Sequence, residues 1–275
     1  MGSIRLFDDH QPLQILALGE MDGHGVVGRA LQPLADAAVH ARVNAGRGHD
    51  LVEQVGADAA RAREREQHAA GLEQLQRERW TNIPATAWTA PIAVVNSVAP
   101  IRICDNGGWT DTWFAGHGQV FNVAVYPYAE VQVAVHRGGD AADRVVLHPE
   151  NFGDAYPVRH DAAPWGPHPL LEAALAYMKL PGGLRLEVSI HSEAPPGAGT
   201  GTSAAVTVAL VGALDALTPG RLTAHEVAAA AQRVETEMLH RQCGIQDQLA
   251  SAYGGINFID MFVYPHASVS PVQVP

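Results

Sequence analysis

The sequence predicts an α+β domain over residues 86–275, and three observations support this. Short β-type runs dominate between residues 92 and 147. Most helical segments come after residue 203, so strands precede helices instead of alternating with them, which is typical of α+β domains and not of doubly wound sheets. Between the two groups, a glycine-rich loop at 194–205 joins a strand to a helix. A chain of 275 residues can form one large or two modest domains with a full core.

Residues 1–85 differ in composition and are predicted to form a mainly helical N-terminal extension of unknown role. Residues 20–80 are rich in Ala, Arg, Glu, Gln and His and have almost no aromatic residues. Propensity predicts a helix over 56–80, and a short strand is predicted over 13–18. A connection at 83–91 leads from this extension into the α+β domain.

Six strands are predicted in the α+β domain from runs of β-branched and apolar residues bounded by turn residues. The two segments around Pro127 are expected to form an antiparallel pair. The predicted strands are 92–95, 100–104, 120–126, 131–135, 144–147 and 184–191.

Four helices are predicted, each with a punctuation signal at one end. Three of them end shortly before a Pro-Gly or Gly-Gly pair. The fourth begins with a capping box formed by Thr223 and Glu226. The predicted helices are 170–178, 203–217, 224–239 and 245–253.

The composition, net charge and cysteine content indicate which kinds of protein and partner to expect. The chain is 47% hydrophobic and 17% charged, as expected for a globular protein, and its formal net charge is −11. That charge argues against nucleic-acid and acidic-membrane partners, which need a basic surface. Cys104 and Cys243 form neither a disulfide framework nor a zinc pattern. We therefore expect a cytoplasmic protein with no membrane partner, and the oligomeric state stays open.

The glycine-rich loop is a candidate anion site. Glycines allow successive N–H groups to point at one ligand, and the following helix adds a partial positive charge. The hydroxyls of Thr202 and Ser203 can reach a phosphate oxygen or Mg²⁺. The loop has no Gly-Lys-Ser/Thr step and no dinucleotide-binding spacing. Taken alone, it is equally compatible with a tight turn and an ordinary helix cap.

Residues 195–205 resemble the second signature of the GHMP kinase superfamily, Pro-Pro-Gly-Ser/Ala-Gly-Leu-Gly-Ser-Ser-Ala-Ala. Here Thr200 replaces Leu and Thr202 replaces Ser. The resemblance implies the N-terminal domain of these kinases, with a mixed sheet packed on helices. It also implies ATP as cofactor, bound by Pro196, Gly197, Ala198, Gly199, Thr200, Gly201, Thr202 and Ser203.

A second segment, 99–112, is similar to the family's first signature. Its Gly-Gly-Trp-Thr-Asp-Thr core resembles fucokinases and bacterial heptose-phosphate kinases, whereas Trp113-Phe114 departs from the Pro-Pro pair common after it. The resemblance implies that Asp111, with Thr110, binds sugar hydroxyls and that Trp109 offers a stacking face. Read by itself, Asp111 is also compatible with a turn former.

A third segment, 235–255, is similar to galactokinases and heptose kinases through Cys-Gly-Ile-Gln-Asp-Gln. The resemblance implies that Asp247 is the catalytic aspartate and that Glu235 is a Mg²⁺ ligand, together with Thr202 or Ser203. Arg102 is expected to lower the pKa of the sugar hydroxyl and to keep Asp247 charged. Without the other segments, Asp247 would be read as a helix cap, Glu235 as a solvated side chain and Arg102 as part of a surface salt bridge.

The predicted function is therefore an ATP-dependent kinase acting on a sugar or sugar-phosphate hydroxyl, with a fucose- or heptose-phosphate-like acceptor. The resemblance covers about residues 92–262, and the family's second domain is not expected in this chain. The alternative is a nucleotide- or sugar-binding module without turnover, or a kinase fragment.

Overall fold

A computed structural model describes residues 3–6, 14–18, 90–138, 144–158, 163–195, 197–218 and 222–273. The strands are β1 (Ser3–Leu6), β2 (Gln14–Leu18), β3 (Ala93–Asn106), β4 (Gly118–Arg137), β5 (Val145–Pro149), β6 (Tyr156–Pro157), β7 (Leu184–Ser192), β8 (Ile256–Val263) and β9 (His266–Pro271). The helices are α1 (Pro169–Tyr177), α2 (Thr202–Asp215), α3 (Ala224–Arg233) and α4 (Gln246–Tyr253), with a 3₁₀ turn at Glu150–Phe152 and a π-helical turn at Val234–Met238.

The strands form one mixed sheet in the order β1-β2-β3-β4-β7-β5-β6. Only the β5–β7 pair is parallel, and the other pairs are antiparallel. Strands β8 and β9 form a hairpin that adds to β4. This is the predicted α+β arrangement of a mixed sheet with helices packed on it.

Strand β4 corrects one expectation, since the segments on either side of Pro127 are one strand and not an antiparallel pair. Residues before Pro127 pair with β8, and residues after it pair with β7. Proline has no N–H to donate, so it fits the point where β4 changes its partner on that edge. The runs predicted at 92–95 and 100–104 are likewise one strand, β3, with a register shift between Pro100 and Ile101.

Helix α2 is the centre of the core. It is apolar on all sides, and 11 of its 14 residues are buried. It contacts β3 and β4 of the sheet and also packs against α1, α3 and α4. Since α2 begins directly after the glycine-rich loop, a helix packed on nearly all sides holds the base of that loop.

The helix ends follow the sequence signals closely. Thr223 and Glu226 form the predicted capping box of α3. The helix predicted over 224–239 is α-helical only to Arg233 and then widens into the π-helical turn that carries Glu235. Such turns are rare and often lie at functional sites, because they reorient the side chains of one helix segment.

The strand predicted over 13–18 is present as β2, which pairs with β3. The helix predicted over 56–80 lies outside the described residues, and the domain boundary at 85 stays a prediction. Within the described residues, no helix is both long and apolar enough to cross a bilayer.

Candidate active site

The glycine-rich loop adopts the backbone that its glycines allow. Gly197, Gly199 and Gly201 have φ values of 79°, 72° and 72°, in the left-handed region. Gly197, Ala198 and Gly199 are exposed, whereas Gly201 is buried at the start of α2. Pro196 lies outside the described residues. The loop thus presents an exposed rim on a buried base.

The N-terminus of α2 has no side-chain cap and no acidic residue in its first turn. The side chain of Ser203 is exposed, while Thr202 Oγ1 lies 3.2 Å from Thr200 Oγ1 and donates to the Pro195 carbonyl at 3.5 Å. The first N–H groups of a helix need acceptors, so this terminus is suited to an anion.

Arg102 joins the loop to Asp247. Its Nε and Nη2 lie 2.8 and 2.7 Å from Asp247 Oδ1, and its Nη1 donates to the Gly199 carbonyl at 2.8 Å. Its backbone N–H donates to the Thr200 carbonyl at 2.9 Å. One residue of β3 therefore positions both the glycine-rich loop and the carboxylate of Asp247. A surface salt bridge would not make this set of contacts.

Asp247 lies in the first turn of α4, with its carboxylate toward the loop. A Cβ added at Gly201 would come within 3.3 Å of Asp247 Oδ2, so only a glycine allows this close approach without displacement. Burial raises the pKa of Asp247, and the charge of Arg102 opposes this shift only in part. A carboxylate with a raised pKa is better suited to accept a proton than an exposed one.

Asp111 is buried, with 1% of its surface exposed. Its Oδ2 accepts from the N–H groups of Ile245 and Gln246 at 2.8 and 2.9 Å, and its Oδ1 accepts from Gln246 Nε2 at 3.0 Å. Asp111 thus caps α4 from a distant loop, because Ile245 has no polar side chain to do so. A sugar hydroxyl could not reach it in this arrangement, which differs from the expected role.

The other two residues of the predicted sugar segment differ in exposure. The hydroxyl of Thr110 lies 2.7 Å from the Gly107 carbonyl and 3.1 Å from the Gln119 carbonyl, which fixes the loop. Trp109 has a φ of 73° and is 72% exposed, with its ring 6.3 Å from that of Phe114. Trp109 is therefore available as a stacking face, although it does not line the cavity described below.

Glu235 projects from the π-helical turn, and its Oε1 accepts from Gln248 Nε2 at 3.0 Å. Burial raises the pKa of Glu235, the bond from Gln248 lowers it, the negative charge of Asp247 raises it further, and the positive charge of Arg241 lowers it. The Asp247 carboxylate therefore disfavours the charged form of Glu235. A divalent cation would offset this effect, and carboxylate and hydroxyl oxygens are ligands that suit Mg²⁺. No cluster of three or more acidic, His or Cys ligands occurs among the described residues.

A cavity of about 770 Å³ runs from Asp247 along the glycine-rich loop to an apolar recess. Its polar end contains Arg102, Arg241 and Asp247 together with loop residues 197–199 and 201–203. Its other end, here called the apolar end, is lined by Phe152, Pro169, Leu170, Leu171, Ile190 and Val206 and also carries the polar pair Asp154 and His168. A cavity of this size, with mainly apolar side chains at one end and charged groups at the other, can hold a nucleotide.

The wall of the apolar end is held by Glu172 of α1. This buried carboxylate accepts from the hydroxyl of Tyr156 at 2.7 Å and from the backbone N–H groups of Gly166 and His168 at 2.5 and 3.1 Å. The ring of His168 lies 4.8 Å from that of Phe152, and its Nε2 lies 2.7 Å from Asp154 Oδ2. Glu172 thus fixes a loop that carries part of the cavity wall.

The structure brings the glycine-rich loop, Arg102 and Asp247 into contact. Glu235 is joined to this group through its hydrogen bond with Gln248, the residue after Asp247. Sequence reasoning missed Gln248, Glu172 and Arg241. Gln248 ends the Cys-Gly-Ile-Gln-Asp-Gln motif and Arg241 lies two residues before that motif, but no role was predicted for either, and no motif contains Glu172.

Comparisons with known proteins agree with this geometry. Residues 169–255 match the family described as GHMP kinases N terminal domain. These residues include α1, the glycine-rich loop, Glu235 and Asp247, whereas Arg102 and Asp111 lie before the match.

Three similar proteins illustrate the extent of the likeness. A mevalonate kinase from Methanothermobacter thermautotrophicus is 40% identical over 75 residues, which is 27% of this chain and 24% of the relative. D-glycero-alpha-D-manno-heptose 7-phosphate kinase from Campylobacter jejuni is 32% identical over 91 residues, 32% of this chain and 27% of the relative. The crystal structure of a D-glycero-D-manno-heptose 1-phosphate kinase from Bacteroides thetaiotaomicron has a TM-score of 0.57 at 22% identity and covers 66% of this chain and 60% of that one.

The matches to the two curated relatives thus span about a quarter of those proteins' length. The structural likeness concerns the fold alone. The family match itself covers residues 169–255, which are 87 of the 275 residues of this chain.

Proposed function

We propose that the protein is an ATP-dependent kinase that transfers the γ-phosphoryl group to a hydroxyl of a sugar or sugar phosphate. One observation carries this proposal: Arg102 joins the Gly199 carbonyl of the phosphate loop to the carboxylate of Asp247 within one cavity. Phosphoryl transfer depends mainly on positioning and on charge stabilisation, which such a connection supplies.

The nucleotide fits the cavity in one orientation. The triphosphate would lie on the exposed loop rim and the uncapped N-terminus of α2. The base would enter the apolar recess, where Phe152 offers an aromatic face. The hydroxyls of Thr202 and Ser203 would lie beside the phosphates, because both residues are at the start of α2 in the polar end of the cavity.

Asp247 would act on the acceptor. Arg102 occupies its Oδ1, and Oδ2 faces Gly201 at the start of α2. Oδ2 is therefore the oxygen that can accept the proton of the attacking hydroxyl. Arg102 offsets part of the rise that burial causes in the pKa of Asp247, and the carboxylate is a stronger base than an exposed one.

Magnesium fits the residues present. Glu235 and the hydroxyl of Ser203 or Thr202 would hold the ion, and the repulsion between Glu235 and Asp247 favours a cation near them. When bound, Mg²⁺ supplies charge neutralisation of the phosphate oxygens. Gln248 orients Glu235 by its hydrogen bond to Oε1.

The acceptor class rests on the segment around Trp109. Similar proteins include kinases named for a heptose phosphate and for mevalonate. The exposed Trp109 and Phe114 rings offer a stacking surface that suits a sugar ring better than the acyclic mevalonate. A fucose- or heptose-phosphate-like acceptor is therefore the finer proposal.

The test uses the purified chain with Mg²⁺ and ATP against a panel of sugars, sugar phosphates and mevalonate, with ADP release as the readout. Asp247→Asn should bind ATP within about twofold of wild type by calorimetry and lose about 10²- to 10⁴-fold in turnover. Asp260→Asn, which removes a carboxylate on β8 outside the cavity, is the matched control.

Turnover retained by Asp247→Asn would refute the assignment of the base. Nucleotide binding by the wild-type chain without turnover on any acceptor would favour the alternative, a nucleotide-binding module without catalysis.

A further inference from the structure

Charged side chains that line the cavity are paired, with one exception. Asp154 lies 2.7 Å from His168, and Arg102 lies 2.7 Å from Asp247. Arg241 is exposed, and its guanidinium makes no hydrogen bond or ion pair among the described residues, although its positive charge lowers the pKa of Glu235. It is thus the cation of the described cavity wall that no carboxylate contacts directly.

Arg102 cannot serve as a second available cation. Two of its nitrogens are directed at Asp247 Oδ1 and the third donates to the Gly199 carbonyl. Its positive charge is balanced by the Asp247 carboxylate. The glycine-rich loop has no lysine. A polyanion in this cavity therefore needs a positive charge that Arg102 and the loop do not supply.

The backbone fixes Arg241 beside the candidate metal ligand. Its N–H donates to the Glu235 carbonyl at 2.9 Å, so the π-helical turn and Arg241 form one unit. The preceding residue, His240, has a φ of 52°, which redirects the chain at this point. Arg241 is therefore anchored through its main chain, while its side chain is free to meet a ligand.

We infer that Arg241 binds the terminal phosphoryl group of the nucleotide, the group that the proposed kinase transfers. This inference rests on the proposed function and adds a residue to it. The guanidinium offers a planar pair of donors that fits two phosphate oxygens, and such contacts are among the strongest hydrogen bonds in proteins. In phosphoryl transfer an arginine at this position also offsets the charge of the transition state.

The test compares two nucleotides that differ in the terminal group. Binding of ADP and of the non-hydrolysable analogue AMP-PNP, each with Mg²⁺, is measured by calorimetry for wild type and Arg241→Gln. We expect AMP-PNP to bind about 10- to 100-fold more weakly to the variant, with ADP affinity changed by less than about twofold. Arg241→Lys, which keeps the charge but not the planar fork, should lie between the two.

Arg137→Gln is the matched control. It removes another exposed guanidinium at the end of β4, about 27 Å along the strand from Ala129, whose backbone pairs with the cavity residue Ser192. It should leave both affinities unchanged.

Two results would overturn the inference: an unchanged AMP-PNP affinity in Arg241→Gln, or an equal loss for ADP and AMP-PNP. A wild-type chain that binds neither nucleotide would refute the proposed function and the inference together. Wild-type binding with no selective loss in the variant would refute the inference alone.

Discussion

At the scale of single residues, Asp111 shows how a buried carboxylate can serve a site that it does not touch. It accepts three hydrogen bonds from residues 245 and 246, which immediately precede Asp247. Gly244 passes so close that an added Cβ would lie 2.0 Å from Asp111 Oδ2. The position of the candidate base thus depends on a residue in another loop.

Asp111→Asn replaces one acceptor oxygen by a donor that would face N–H groups, so we expect a loss of about 1–3 kcal/mol in the free energy of unfolding. Urea denaturation followed by circular dichroism measures it. Asp260→Asn, on the partly exposed side of β8, should change stability by less than about 0.5 kcal/mol. Equal effects of the two changes would show that the cap of α4 contributes nothing.

The roles of these residues were predictable from sequence to different degrees. Arg102 and Asp247 follow from motif resemblance, and the structure brings them together across 145 positions of chain. The capping role of Asp111 could not be predicted, because its partners lie 134 and 135 positions away and backbone N–H groups leave no trace in sequence. Arg241 stands in a segment where no spacing marks it.

At the scale of elements, the loop and α2 form a unit whose geometry depends on Gly201. This residue has a φ of 72°, is buried, and faces the side chains of Arg102 and Asp247. A methyl group at Gly201 would strain the backbone and would also come into close contact with the side chains of Arg102 and Asp247. The exposed glycines of the loop have open space instead.

Gly201→Ala is therefore expected to weaken ATP binding by about tenfold or more and to lower stability by about 1–2 kcal/mol, the usual cost of the left-handed conformation. Calorimetry and urea denaturation give the two values. Gly255→Ala has a comparable φ of 60° with no atom near the added Cβ. This control should lose stability without losing ATP affinity, and an unaffected ATP affinity in Gly201→Ala would contradict the tight fit of the loop on Asp247.

Element boundaries were predictable where Gly residues or a capping box punctuate the chain, as at the start of α3 and at the end of α4, whereas the end of α3 at the π-helical turn was not. Strand β4 was not predictable as one element, because Pro127 is a common strand breaker. Its two partners on one edge, β8 and β7, begin at least 47 positions after β4 ends, and only tertiary pairing shows that the strand continues.

At the scale of the whole molecule, burial of acidic groups in the site links stability to pH. The pKa values of Asp247 and Glu235 are raised on folding, so the native state binds more protons than the unfolded state. Their contribution to stability is complete below the unfolded values, near pH 4, and is lost as the pH rises through the folded pKa values. The contribution of Glu226 to stability has the opposite pH dependence, because its capping hydrogen bonds lower its pKa.

Asp247→Asn should therefore gain stability relative to wild type as the pH is raised from 4 toward 8, since the variant has no charge to bury. Denaturation midpoints measured at several pH values give this difference. Asp260→Asn serves again as the carboxylate control. A difference that stays constant, or that shrinks with rising pH, would contradict the raised pKa of Asp247.

The three-way contact of Arg102 has a consequence for which substitutions the protein can accept. A single planar group points at the carboxylate with two nitrogens and at the loop carbonyl with the third, and a lysine ammonium cannot reproduce that geometry from one point. In a saturation mutagenesis experiment, position 102 should therefore reject every replacement, including the one that conserves charge. Ala198, on the exposed rim of the same loop, should accept many. Two positions that meet at one hydrogen bond, Arg102 and the residue before its acceptor Gly199, should thus differ sharply in the substitutions they tolerate.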